Sequence, residues 1–146
     1  MDTVDLKQSG LYINRELSQL AFNRRVLELA QDAAVPLLER LRFLCISSTN
    51  LDEFFEIRVA GLKQRLELAS APLGPDDLPA SEALHSICEE ARDIVRQQYH
   101  MLNEVLFPAL EKDGIRVLRR HEWSAAHETW LHKYFEEEVL PVLSPM

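Results

Sequence analysis

From Leu37 to Leu66, apolar or small side chains return every three or four residues: Leu37, Leu41, Leu44, Ser48, Leu51, Phe55, Val59, Leu62 and Leu66. Such spacing lines them up along one stripe of an α-helix, and the stripe has to be buried against neighbours. A chain built around this seam folds by packing helix on helix. Only 4 glycines against 27% charged residues point the same way, away from a sheet with many tight turns. The expected fold is all-α: a bundle of long antiparallel helices, with room for a short strand and an extra helix near the C-terminus.

Punctuation along the chain divides the bundle. A first helix is expected from Ile13 or Asn14, carrying Leu17, Leu20, Ala21, Val26 and Leu27 and ending before Pro36. Pro36 then opens the seam helix where proline is tolerated. The stretch Ala71–Ala80, with three prolines, a glycine and two aspartates, reads as a loop. A third long helix follows from Ser81, with Leu84, Ile87, Cys88, Ala91, Ile94, Val95, Tyr99, Leu102 and Leu106, and stops near Gly114. Ile115–Leu118 is a candidate strand, Ser124 a cap for a last helix through Glu138, and Leu140–Met146 an extended apolar tail. Residues 1–111 are expected to form an N-terminal helical domain, and residues 112–146 to begin a following domain that the chain does not complete.

Several function classes are excluded by the residues themselves. Net charge is −8, with residues 1–65 balanced and the whole acidic excess in residues 66–146. A domain that gripped a polyanion alone would need a basic groove, so nucleic acid or a polyphosphate channel on this surface is not expected. No apolar run approaches the roughly 18 residues that span a bilayer, and residues 1–10 carry no signal-peptide pattern. Glycines at 10, 61, 74 and 114 build no phosphate loop, and no nucleophile-elbow, Cys-x-x-Cys or His-Glu-x-x-His pattern occurs. The five histidines, and Glu136-Glu137-Glu138, read as solvated surface rather than metal sites. Cys45 and Cys88 read as reduced, buried thiols of a cytosolic protein. No catalytic residue and no metal site is expected within these residues.

One segment stands out. Ser47-Ser48-Thr49-Asn50 sets four small polar residues, mediocre helix formers, in the middle of the apolar seam. In one reading Asn50 and Glu53 form a capping-box-like pair that restarts a helix. In the other the helix is continuous, and Ile46, Asn50, Phe54, Ile57 and Gly61 share a second, largely apolar face. A carboxamide there offers a donor and an acceptor side by side, matching the adenine edge, with apolar neighbours for the ring. A face for docking another protein would show the same spacing.

Four blocks in order carry a resemblance: Tyr12-Ile-Asn-Arg-Glu-Leu-Ser18 with Leu20-Ala-Phe-Asn-Arg-Arg-Val-Leu27; Pro36-Leu-Leu-Glu-Arg-Leu-Arg-Phe-Leu44; Ser48-Thr-Asn-Leu-Asp-Glu-Phe-Phe55 with Arg58-Val-Ala-Gly-Leu-Lys63; and Trp130 to Pro145. Together they resemble the start of bacterial polyphosphate kinases of the histidine-phosphorylating class. The resemblance implies reversible transfer of the terminal phosphate of ATP to polyphosphate through a phosphohistidine outside these residues. Mg²⁺ and the phosphate-handling arginines would lie on later domains of the same chain, in a cytoplasmic homo-oligomer, including at the inner face of the membrane. This domain would hold the adenine end of ATP, and the family's ATP-contacting asparagine falls at Asn50. A contact to the base alone implies weak ATP binding by this chain. Gln19 stands where the family usually has Trp, a departure expected to lie apart from the Asn50 motif. The competing reading is a ligand-free helical interaction module that docks a partner through Ile46, Phe54 and Ile57.

Overall fold

The computed structural model describes residues 5, 6, 8–67, 76 and 78–143. Three helical rods pack side by side. The first is α1 (Arg15–Gln31). The second joins α2 (Leu37–Glu53) to α3 (Ala60–Glu67) through a wide, π-type turn at Phe54–Val59. The third joins α4 (Ala80–His100) to α5 (Phe107–Lys112) through a matching turn at Met101–Leu106. Among the described residues no strand forms.

The ends follow the local chemistry. Asn14 Oδ1 accepts from the backbone N–H groups of Glu16 and Leu17, both at 3.1 Å, two of the donors a helix start leaves unpaired. Pro36 and Pro79 sit just ahead of α2 and α4. Gly114 closes the third rod at φ +82°, a backbone conformation that disfavours a side chain. The expected loop at 71–80 lies largely outside the described residues, and Ala80 already belongs to α4.

Pairing order makes neighbouring rods antiparallel. Arg40 Nε donates to the Ala30 carbonyl, while further from the turn Asn23 reaches Ser47 and Asn50. Between the second and third rods, α3 lies against α4 and α2 against Met101–Leu106. The core collects Leu20, Leu27 and Ala30 of α1, Leu44, Leu51, Phe54, Val59 and Leu62 of the second rod, and Ala83, Ile87, Ala91, Ile94, Met101 and Leu106 of the third. Across the first and third rods, Arg24 reaches Glu90 at 2.7 Å and Asp93 at 2.8 Å.

Both π-type turns coincide with a five-residue step between core positions, Phe54 to Val59 and Met101 to Leu106. A regular helix would swing the fifth residue well off the face; the extra residue per turn brings it back. The expected seam is also corrected ahead of the turn and at its start. Ser47 and Phe54 are buried, whereas Ser48 and Phe55 are exposed. The second face loses Phe54 to the core, and its Ile46 and Ile57 stand in solvent, Ile57 at 59% exposure.

Four other expectations are corrected. Residues 115–119 form no strand, because no second strand among the described residues offers a ladder. The segment Leu140–Val142 is a 3₁₀ turn rather than extended chain, continuing α6 (Ala125–Tyr134) and a π-type turn at Phe135–Val139. Cys45 is exposed and Cys88 half-buried; both are free thiols, neither fully buried. Asn50 restarts no helix, since α2 runs through it without a break. Ser124 does cap α6, accepting from the His127 N–H at 3.3 Å.

Candidate functional site

Asn50 sits half-buried on the side of α2 that faces α1. Its Nδ2 donates to Asn23 Oδ1 at 3.2 Å. Asn23, only 3% exposed, uses its own Nδ2 to reach the Ser47 carbonyl at 2.9 Å. Ser47 Oγ in turn accepts from Gln98 Nε2 at 3.0 Å. A chain of polar groups therefore runs from α4 through α2 and α1 back to α2, and ends at the Asn50 amide. Each link is buried or half-buried, where a satisfied hydrogen bond fixes a side chain and an unsatisfied one is costly.

The outer end opens into a small cavity of about 130 Å³ lined by Gln19, Leu20, Phe22, Asn23, Asn50, Glu53 and Phe54. Of the Asn50 carboxamide, one N–H is committed to Asn23; the second N–H and Oδ1 remain for a ligand. Phe22 is 53% exposed and presents a ring at the rim, with the Arg25 guanidinium 5.7 Å from its centroid. Chemically the arrangement offers one donor, one acceptor and an aromatic surface, the set that a planar heterocycle uses. Glu53 is the carboxylate in this lining, and no imidazole or thiol among the described residues joins it. Among the described residues no three His, Cys, Asp or Glu side chains converge to hold a metal ion, and no step is routed through one.

The structure places Asn50 on this cavity in different company from that expected. Ile46 and Ile57 do not line the cavity; Phe22, Asn23 and Gln19 do. A signal for Asn23 was present in the sequence. With Leu20, Leu27 and Ala30 it occupies the buried stripe of α1, where a carboxamide demands a partner. Phe22 had no comparable signal, since a lone exposed aromatic is ordinary.

The family model described as "Polyphosphate kinase N-terminal domain" matches residues 12–118, which take in α1 through α5 and the whole cavity. The chain belongs to this family. A polyphosphate kinase of Pseudomonas syringae pv. tomato is 51% identical over 97% of the chain, and one of Xylella fastidiosa is 51% identical over 96%. The chain spans about a fifth of the length of these relatives, 19% and 20% respectively. The crystal structure of a polyphosphate kinase from Porphyromonas gingivalis superposes with a TM-score of 0.66 at 32% identity, over 90% of this chain and 18% of that one.

Within a polyphosphate kinase N-terminal domain, Gln19 now takes on a different meaning. It was expected to lie apart from the Asn50 motif, yet it lines the same cavity. A glutamine in place of an indole removes an aromatic wall and adds a second amide beside Asn50. Phe22 is then the aromatic side chain left exposed on this lining.

Proposed function

We propose that this chain is the nucleotide-facing part of an enzyme that transfers the terminal phosphate of ATP reversibly to polyphosphate. The phosphohistidine, the Mg²⁺ and the residues that move phosphate would lie outside it. Asn50 would pair with the adenine edge while Phe22 packs on the ring. The observation that supports this reading is the Asn50 amide itself, held by Asn23 at 3.2 Å with a donor and an acceptor left over at a small open cavity. A docking face for a partner protein would need exposed apolar area, and Phe54 of the expected face is in the core.

The same reading assigns residues 1–111 to the helical domain and 112–146 to the start of the next. In support, no described residue after Leu110 is buried, so residues 111–143 hold no core of their own. We place the whole enzyme in the cytoplasm, including at the inner membrane face, as a homo-oligomer. Among the described residues no helix is long and apolar enough to cross a membrane.

The test is Asn50→Ala in the full-length enzyme. One lost hydrogen-bonded pair to the base costs about 1–3 kcal/mol, a rise in KM for ATP of roughly tenfold with a smaller fall in kcat. An unchanged KM at normal stability refutes the adenine reading.

A further inference from the structure

Two separate windows open between α1 and the second rod, one of them the cavity at Asn50. The other, toward the start of α1, has a volume of about 430 Å³ and is lined by Ile13, Asn14, Arg15 and Glu16 on one side, by Ile57, Arg58, Gly61, Leu62 and Arg65 on the other, and by Asp76. On α1, Arg15 and Gln19 lie one helical turn apart; on the second rod, Asn50, Phe54, Arg58, Gly61 and Arg65 follow in steps of three and four. Both windows lie between the same two rods, about one turn apart on α1.

The wide window is distinguished by three arginines in one lining. Arg24, Arg42, Arg96 and Arg116 close ion pairs elsewhere, while Arg25, Arg40, Arg92, Arg119 and Arg120 close none among the described residues but do not gather three to a lining. Arg15, Arg58 and Arg65 close none among the described residues, although Glu16 and Asp76 share their lining. Asp76 Oδ2 is instead engaged by Asn14 Nδ2 at 2.8 Å. Gly61 keeps the floor open: a Cβ built there meets nothing within 4 Å. The three guanidiniums come from positions 15, 58 and 65, and only the fold gathers them, in a chain whose net charge is −8.

We propose that this window is an oligophosphate-binding site in which Arg15, Arg58 and Arg65 present their forks to successive phosphate groups. Planar guanidinium donors match phosphate oxygens two at a time, which a lysine cannot do. A multiply charged ligand suits the site better than a single anion, because two carboxylates offset part of the positive charge and no one arginine dominates. Arg58 lies eight residues beyond Asn50 on the same rod, about 12 Å along the axis. That separation suits either the phosphates of a nucleotide whose base is at Asn50 or one end of a polyphosphate chain. The site goes beyond the adenine reading and rests on it only for the direction in which a nucleotide would lie.

The experiment follows the arginine Nε–H, the Asn50 side-chain amide and the Phe22 ring resonances of the 146-residue chain by NMR while four probes are added separately: tripolyphosphate, adenosine, ATP and long-chain inorganic polyphosphate. Tripolyphosphate, which has no base, should shift Arg15, Arg58 and Arg65 and leave Arg92 and Arg119 still. Arg58→Gln should weaken its binding about tenfold. Arg58→Lys should recover less than half of that loss, because the charge returns without the fork. Gly61→Leu keeps every charge and only fills the floor, so the weakening expected of it separates a shaped site from diffuse attraction. If ATP moves the three arginines together with Asn50 and Phe22, the window holds the nucleotide's own phosphates. If long-chain polyphosphate moves them and ATP does not, it holds a polyphosphate end; both results support the site. Tripolyphosphate shifts no larger than those of Arg92 and Arg119, in a chain with a dispersed native spectrum, overturn it. Adenosine reports on Asn50 and Phe22 alone, so the adenine reading can fail while the phosphate site stands, and the reverse.

Discussion

Asn23 occupies a place on α1 that a leucine would ordinarily fill, between Leu20 and Leu27 on the buried stripe. Its amide is held at both ends, by the Ser47 carbonyl and by Asn50. It positions Asn50 without reaching the open rim itself. Two substitutions separate this role from simple packing. Asn23→Ala removes the anchor and leaves buried polar atoms short of a partner, a loss of about 1–3 kcal/mol in denaturant unfolding. It should also raise KM for ATP in the full-length enzyme nearly as far as Asn50→Ala does. Ser47→Ala, in contrast, strands Gln98 Nε2 but keeps the Ser47 carbonyl that Asn23 uses. It should cost comparable stability and leave KM unmoved. Equal KM effects from the two variants would reduce Asn23 to a structural residue. At this scale the sequence exposed Asn50 through its odd setting, but its partners lie 24 to 51 positions apart along the chain and became visible only when the rods were docked.

At the scale of elements, the starts and stops were legible because each has a local cause. Asn14 caps α1, Pro36 precedes α2, Gly114 ends the third rod and Ser124 caps α6. The facing of the second rod was legible at Leu44, Leu51, Val59 and Leu62 and missed at Ser48, Phe55 and Leu66. Ser47 and Phe54 lie three or four residues from Leu44 and Leu51, so a 3.6-residue period admits them as readily as Ser48 and Phe55; the π-type turn at Phe54–Val59 then returns Val59 to the buried face. Gly61 follows directly in α3, and its place there has a measurable consequence. Glycine in a helix interior is destabilising relative to alanine, and a methyl at this position meets no atom within 4 Å. Gly61→Ala should therefore stabilise the chain by about 0.5–1 kcal/mol, raising Tm by roughly 2–5 °C. A lower Tm would mean that the rod is not continuous through this point. A methyl is too short to close the window, so tripolyphosphate binding should survive Gly61→Ala where Gly61→Leu weakens it.

Across the whole molecule, charge is arranged by surface rather than by sequence half. Counting residues 1–65 as neutral hid a cluster of three arginines, because Arg15 and the pair Arg58 and Arg65 sit on different rods. Besides its apolar packing, the acidic third rod meets the first, among the described residues, through an ion-pair clasp of Arg24 with Glu90 and Asp93. Its pH dependence can be worked out from Asp93. The hydrogen bond from Arg24 is the main cause that holds the Asp93 carboxyl below its ordinary value of 3.8, with smaller help from Gln97 and Arg96. A carboxyl whose pKa is lower in the folded state contributes stability above its unfolded value and loses it as pH falls through the folded one. Arg24 stays charged throughout, its own pKa raised chiefly by the Glu90 and Asp93 hydrogen bonds. The contribution is therefore constant at neutral pH and disappears only below 3.8. Asp93 is solvent-accessible, so the effect is small and salt-sensitive. Thermal melts of the chain and of Asp93→Asn should differ by a fixed, modest Tm gap from about pH 7 to about pH 5, narrowing toward zero near pH 2–3. Adding salt to about 1 M at neutral pH should shrink the same gap. A gap that persists at low pH would show that Asp93 acts through packing or through Gln97 rather than through its charge on Arg24.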